Sequence, residues 1–448
     1  MFSTDDSIVA IATPPGRGAI GIVRLSGPAA LDIAGAILED RRPLRARYAT
    51  FTRVRAAHAS CAIDEVVATY FPAPHSYTGD HVVEISAHGS PVVLHAIVRS
   101  AIVAGARLAA PGEFTLRAFL NGKRDLVQAE AVGDLIAAAT PLQARVAFDQ
   151  LEGTLTGRIA EFDAQLFDLI ARLEASLDFP DEGYHFIEPA ETARRVGCVV
   201  EQLDRLLAGA QRGRLIREGA AVVVTGRPNV GKSSIFNLLV GADRTIVTDR
   251  PGTTRDLVSE QIDLDGLAIT LVDTAGCRET DDVVEREGVA RATRARDVAD
   301  VLVVVLDRSE PATAEDEQVL AETAHQRRIL VANKSDLAEK AGFSGSIAVS
   351  ARTGAGLDDL RRAIVRELTG SQSLRDTAAL SNTRHVALLE QARAALAQAR
   401  QAAADGETPE EFVLADLQAA RARLDEIVGT RTSEDVLQHI FERFCIGK

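Results

Sequence analysis

"VVVTGRPNVGKSSIFNLL", residues 222–239, runs an apolar β-like stretch into a glycine turn and then into a helical pattern. Gly226 is followed by four residues and then by Gly231, Lys232 and Ser233, the spacing of a loop that wraps phosphate. The glycines admit backbone N–H groups close to phosphate oxygens. The Lys232 ammonium can reach the β- and γ-phosphates, and the Ser233 hydroxyl can ligate Mg2+. Asn229, Val230 and Ser234 complete the loop. A strand ahead and a helix behind are the context this chemistry needs, so the stretch predicts one unit of a mostly parallel α/β sheet.

Downstream, "ANKSD" (residues 332–336) follows a further apolar run. The carboxylate of Asp336 can accept from the N1–H and exocyclic amine of guanine, whereas adenine presents an acceptor at N1 and is repelled. GTP is therefore expected over ATP. Asn333 is expected to buttress base and phosphate loop, Lys334 to lay its stem along the ring, and Ser335 to sit between them. "VSAR" follows the next apolar run, and its Ser350, Ala351 and Arg352 are placed to offer backbone N–H to the guanine carbonyl.

Between these motifs lie two candidate switches. In "TDRPGTTRD", Thr248, Asp249, Arg250, Pro251, Gly252, Thr253 and Thr254 form the first, with Thr254 as a Mg2+ ligand. In "VDTAG", Asp273 is expected in the outer shell of the metal and Gly276 at the γ-phosphate, with Thr274 and Ala275 as further nucleotide-binding residues. The next residue is Cys277, where many such proteins carry a water-orienting glutamine, so another group must place the attacking water.

Around this centre the chain is long, 448 residues, which implies two to four domains. Aromatics make up 4% and Trp is absent, so the cores are expected to be built from Ala, Val, Leu and Ile. The cysteines at 61, 198, 277 and 445 lack metal-knuckle or Cys-x-x-Cys spacing, which fits a reduced, cytoplasmic protein. The start is acidic where a signal peptide needs a basic region, and no apolar run reaches membrane-spanning length, so no membrane association is expected.

A net charge of −14 argues against broad electrostatic wrapping of nucleic acid. One local exception, "RRPLRARYATFTRVR" (41–55), reads either as a solvated strand and loop face or as a nucleic-acid contact. Of 50 basic residues five are Lys, leaving 50 − 5 = 45 Arg. Four of those five, Lys123, Lys232, Lys334 and Lys448, lie in distinctive segments; Lys340 does not.

Residues 1–118 mix β-like runs (8–12, 19–25, 66–71, 82–86) with helical stretches near 28–38 and 91–104, which reads as an N-terminal α/β domain. Phe148, Leu151, Leu155, Ile159, Phe162, Leu166, Leu169, Leu173 and Leu177 then recur every three or four residues, predicting one long amphipathic helix. It belongs to a first helical part, 119–212, interrupted by "DFPDEGYHFIEP". Residues 217–372 carry the nucleotide motifs on alternating strands and helices. Residues 373–448 are helical again, with Thr408, Pro409 and Glu411 reading as a capping-box start. The two helical parts are expected to pack together, with the α/β nucleotide domain inserted between them.

The whole chain resembles the bacterial tRNA modification GTPases of the MnmE (TrmE) family, within the TrmE-Era-EngA-YihA-Septin-like superfamily. The resemblance rests on "IVAIATPPGRG" and "SYTGDHVVEISAHG" at the front, "PGEFTLRAFLNGKRDLVQAEA" at the junction, the nucleotide motifs, and the terminal "FCIGK". It implies an N-terminal folate-binding and dimerisation domain, a helical bundle and an inserted Ras-like P-loop domain. It also implies a homodimer that works with the FAD-dependent protein MnmG, in a heterotetramer or larger complex. Together they would form a 5-carboxymethylaminomethyl group on the wobble uridine, position 34, of certain tRNAs.

By position, the resemblance implies that Glu285 orients the water, alongside catalytic Lys232. It implies K+ rather than an arginine finger when two nucleotide domains meet, with Asn229 giving a side-chain oxygen and Thr248, Arg250 and Thr253 backbone oxygens. Arg24, Glu84, Lys123 and Lys448 match its folate site. The folate would be a 5,10-methylene- or 5-formyl-tetrahydrofolate type. Glu84 suits the amine and N–H edge of a pterin, and the three cations suit a glutamate tail or a ring oxygen. Cys445 is a candidate nucleophile or a contact near that site. A ribosome-assembly GTPase that only binds RNA would carry an appended RNA-binding module and gives no account of "TPPGRG" or "FCIGK". A GTP-dependent scaffold that only positions tRNA is the other alternative.

Overall fold

The computed structural model describes residues 5–39, 43–56, 61–178, 187–243, 258–273, 296–370, 380–405 and 407–448. Expectations for Thr248, Asp249, Arg250, Pro251, Gly252, Thr253, Thr254, Thr274, Ala275, Gly276, Cys277 and Glu285 lie outside the described residues. The chain divides into two compact units. One comprises residues 1–133, 150–196 and 394–448, the other residues 134–149 and 197–393.

The first unit carries a six-stranded sheet of β1 (Ile8–Ile11), β2 (Ile20–Ser26), β3 (Thr50–Arg55), β4 (Ala62–Phe71), β5 (Val82–His88) and β6 (Arg107–Leu108). Their order is β3-β4-β5-β2-β1-β6, antiparallel throughout except for the β1–β6 pair. The alternating burial along β2 and β4 turns Val23, Leu25, Val66 and Ala68 toward one core. Helices Ala30–Ile37 and Pro91–Val103 close that core with Ile33, Ile37, Leu94 and Ile97. A sheet buried on one face needs this period of two.

The same unit holds a helical layer. Helix Thr154–Asp178 buries Leu155, Ile159, Phe162, Leu166, Leu169 and Leu173 on one stripe. Its partner, Glu410–Val428, buries Val413, Leu417, Leu424 and Ile427. Arg421 Nε donates to Asp163 at 2.6 Å and Gln418 Nε2 to Glu174 at 3.0 Å, which orders the two helices antiparallel. The expected packing of the two helical parts is thus met at this pair.

Two local expectations differ from the structure. The single long helix is broken: Pro141–Leu151 ends before Gly153, whose φ of 89° is left-handed, and Thr154 begins a new helix. Phe148, ahead of the break, is 50% exposed. The capping box at Thr408 does not form either. The Thr408 hydroxyl donates to Asp405 Oδ2 at 2.9 Å, and Pro409 occupies the cap with no side-chain bond. Asp405 also accepts from the N–H groups of Glu407 and Thr408, a local turn that outcompetes the cap.

The second unit is built on β7 (Ala220–Thr225), β8 (Val258–Leu264), β9 (Leu267–Asp273), β10 (Val301–Asp307), β11 (Arg328–Asn333) and β12 (Ile347–Ala348), ordered β12-β11-β10-β7-β9-β8. Every neighbouring pair is parallel except β8–β9. In β10, Val301, Val303 and Val305 face one core while Leu302, Val304 and Leu306 face another. Coverage on both faces is why "VLVVVLD" reads as an unbroken apolar run rather than as an alternation.

Candidate functional site

The parallel strands of the second unit end at one edge of the sheet, with Thr225, Asp273, Asp307 and Asn333 at or beside their carboxyl ends. Ligands of open α/β sheets bind outside those ends, because the loops there are free of the sheet ladder. The phosphate loop leaves β7 and enters helix Lys232–Asp243, whose first-turn N–H groups and dipole favour an anion. Gly231 has φ 96°, and a Cβ there would lie 2.3 Å from Asn333 Nδ2, so only glycine fits. Asn229 also adopts a left-handed φ of 62°.

Lys232 is 8% exposed, and its ammonium donates to the carbonyl of Arg227 in its own loop at 2.8 Å. Burial pushes its pKa down, and the charge of Asp273 pulls it back up. The ammonium is therefore held over the loop by a neutral carbonyl, a bond that a phosphate oxygen can replace. Ser233 and Ser234 stand in the first helical turn and are exposed.

Asn333 joins the distant parts. Its Nδ2 donates to Val230 O at 2.8 Å, and its Oδ1 accepts from the N–H of Ala351 at 3.1 Å. The phosphate loop and the 350 loop are thereby fixed to one buried amide. Asp336 accepts from Ser350 Oγ at 2.6 Å and pairs with Arg352 at 2.7 Å. The Ser350 hydrogen bond, with the Asp336 N–H and then Arg352 adding to it against burial, holds its carboxyl below the ordinary range. Lys334, with φ 62°, donates to Asp307. Against the opposing pull of burial, bonds from Lys334 and Ser309 hold the Asp307 carboxyl low. Asp307 was missed in the sequence: it is the last residue of an apolar strand, and no motif marks it.

In the first unit a second cluster forms. Arg24 and Glu84 face each other across β2 and β5, with Arg24 Nε donating to Glu84 Oε1 at 2.9 Å. The Arg24 guanidinium lies 5.2 Å from the centre of the Tyr77 ring and 5.7 Å from that of Phe114. Arg124 approaches Tyr77 as well, at 5.5 Å, and the Tyr77 hydroxyl is 2.9 Å from Thr115 Oγ1. Lys123 lies against Gly79 of the same "SYTG" loop. The tail is held here too. The N–H of Phe114 donates to Lys448 O at 3.2 Å, Gly112 N–H to Cys445 O at 3.4 Å, and Pro111 bridges Ile446. Cys445 is exposed. Arg24, Glu84, Lys123 and the 445–448 tail thus gather around Tyr77 and Phe114. Tyr77 and Arg124 are neighbours the sequence reading did not single out, although both lie inside motifs it quoted.

Helix Glu113–Leu120, which carries Phe114, is braced at its start by a charge network. Glu113 Oε1 accepts from Arg107 at 2.6 Å and from Arg117 at 2.9 Å, and Arg117 also reaches Asp6 Oδ1 at 2.5 Å. Among the described residues of the Arg-rich stretch, Arg53 pairs with Glu65 and Arg55 with Glu39, so much of its positive charge is neutralised locally. No helix among the described residues is long and apolar enough to cross a membrane.

A family model described as the MnmE helical domain matches residues 126–445, and one described as the GTP-binding protein TrmE N-terminus matches residues 7–123. A tRNA modification GTPase MnmE of Koribacter versatilis is 45% identical over 455 residues, covering 100% of each chain. One of Aquifex aeolicus is 42% identical over 448 residues, covering 99% of this chain and 100% of that one. Among solved structures, a variant of Aquifex aeolicus Era bound to GDP and AlF4- is 26% identical with a TM-score of 0.28, covering 39% of this chain and 66% of that one. The G domain of the T. maritima FeoB iron transporter is 28% identical with a TM-score of 0.27, covering 33% of this chain and 98% of that one.

Proposed function

Because the chain belongs to the MnmE family of tRNA modification GTPases, we propose that its GTP hydrolysis drives a modification of wobble uridine 34 in certain tRNAs. In this reading it acts as a cytoplasmic homodimer with the FAD-dependent MnmG, forming a 5-carboxymethylaminomethyl group from a tetrahydrofolate one-carbon unit. The four-part division into residues 1–118, 119–212, 217–372 and 373–448 belongs to the same proposal.

The observation that carries the reading is the pairing of two clusters of matching chemistry in one chain. At the nucleotide edge, Lys232 and the helix N-terminus suit phosphate, Asp336 suits the donor edge of guanine, and Asn333 joins the two loops. Ser233 and Thr254 would hold Mg2+, which neutralises charge developing on the phosphates. Asn229, Thr248, Arg250 and Thr253 would hold K+, and Glu285 would place the water.

In the other unit, Glu84 offers a carboxylate to a pterin edge, while Lys123 and Lys448 offer cations to the tail and Tyr77 and Phe114 offer ring faces. The donor set fits a folate. Its reactive carbon would be supplied by the folate; the chain's part is to orient it and to exclude water. Cys445, on the tail held against Gly112, is placed as a contact or a nucleophile in this reading.

The test is reconstitution with MnmG, GTP, a methylene-tetrahydrofolate and undermodified tRNA, reading nucleoside mass. The reading expects the C5-modified uridine with the native chain and its loss with Glu84→Gln, while GTP turnover persists. Modification by Glu84→Gln at the native level removes the folate assignment. Cys445→Ser with full modification would make the thiol a contact only.

A further inference from the structure

Asp336, the residue read as the guanine acceptor, already has two donors on its carboxylate. Ser350 Oγ occupies Oδ1 at 2.6 Å and an Arg352 guanidinium nitrogen lies 2.7 Å from Oδ2. The exposures of the pair are unequal: the Asp336 side chain is 14% exposed and that of Arg352 is 75% exposed. The acid is fixed by its loop, and the arginine reaches it from solvent.

A guanidinium presents N–H donors in a plane, matched to carboxylate oxygens. The N1–H and exocyclic amine of guanine present the same pair of in-plane donors. We propose that Arg352 is an intramolecular stand-in for guanine, covering the acceptor edge of Asp336 until the base displaces it. The inference rests on the guanine reading of Asp336 and adds a competitor to it.

The backbone around Arg352 favours such an exchange. The N–H of Ala351 is held by Asn333 Oδ1, and the N–H of Ser350 donates to Ala355 O at 2.9 Å. The loop therefore stays in place while the exposed side chain swings away. The Ser350 hydroxyl remains on Oδ1, so the carboxylate is never left bare. When the base leaves, Arg352 re-covers Oδ2, which stabilises the nucleotide-free protein and scales the apparent affinity down to the fraction of molecules left uncovered. An exposed ion pair is weak, so the effect is modest, about two- to fivefold.

The experiment uses the full chain and fluorescent GDP and xanthosine diphosphate. Arg352→Ala and Arg352→Gln are each expected to tighten GDP binding about two- to fivefold. In an Asp336→Asn background, which should prefer xanthosine diphosphate, adding Arg352→Ala is expected to have a smaller effect, because a neutral amide offers the guanidinium one acceptor oxygen and no charge. Unchanged or weaker GDP binding by both Arg352 variants overturns the competitor. Retained GDP preference in Asp336→Asn would instead overturn the guanine reading itself, and the competitor with it.

Discussion

Asn333 shows how one side chain can set a binding site. It is 2% exposed, and both ends of its amide are used, one on the phosphate loop and one on the 350 loop. Asn333→Ala leaves the Val230 carbonyl and the Ala351 N–H without that partner, each worth about 1–3 kcal/mol when buried. GDP affinity should fall by about tenfold or more in a fluorescence titration, and an unchanged affinity would show that the loops hold themselves. Asp336→Asn should exchange guanine for xanthine preference, since an amide offers a donor where the carboxylate offers only acceptors. Residues inside glycine-punctuated motifs were legible because their spacing is local. Asp307 and the Tyr77–Arg124 contact were not marked, because their meaning comes from partners 27 and 47 positions away in the chain.

At the scale of elements, packing decided what pattern alone left open. The stripe from Leu155 to Leu173 was legible as a helix face, yet the same three-to-four spacing continued back through Phe148 across a glycine turn that ends the helix. Periodicity does not see a break when apolar residues fall in phase on both sides of it. Leu166 is fully buried on the apolar stripe of helix Thr154–Asp178, so Leu166→Ala should cost about 2–5 kcal/mol, read as an earlier denaturation midpoint.

The network at the start of helix Glu113–Leu120 gives a pH prediction. Arg107 hydrogen bonding leads in holding Asp6 low; for Glu113, bonds from Arg107, Ala110 and Arg117 overcome the opposing effect of burial. Carboxylates with folded pKa values below their unfolded ones stabilise fully above the ordinary range of about pH 4, and that stabilisation fades as pH falls through the folded values. Glu113→Gln should therefore be less stable than the native chain at pH 7. The difference should shrink toward pH 2 in urea unfolding; a constant gap would place the loss outside the ion pairs.

For the whole molecule, a nucleotide sheet is inserted in a chain whose two flanking helical parts supply the packed pair Thr154–Asp178 and Glu410–Val428. That arrangement was legible because amphipathic stripes on both sides of an insertion need partners. In the proposed function, Glu285 places the water and K+ neutralises charge, in a chain with Cys277 beside its second switch motif. The most direct test is steady-state GTP turnover in KCl against matched NaCl, for the native chain and for Glu285→Ala. Strong acceleration by K+ is expected in the native chain, and its loss in the variant. Equal turnover in the two salts, or a variant as fast as the native chain, would contradict it.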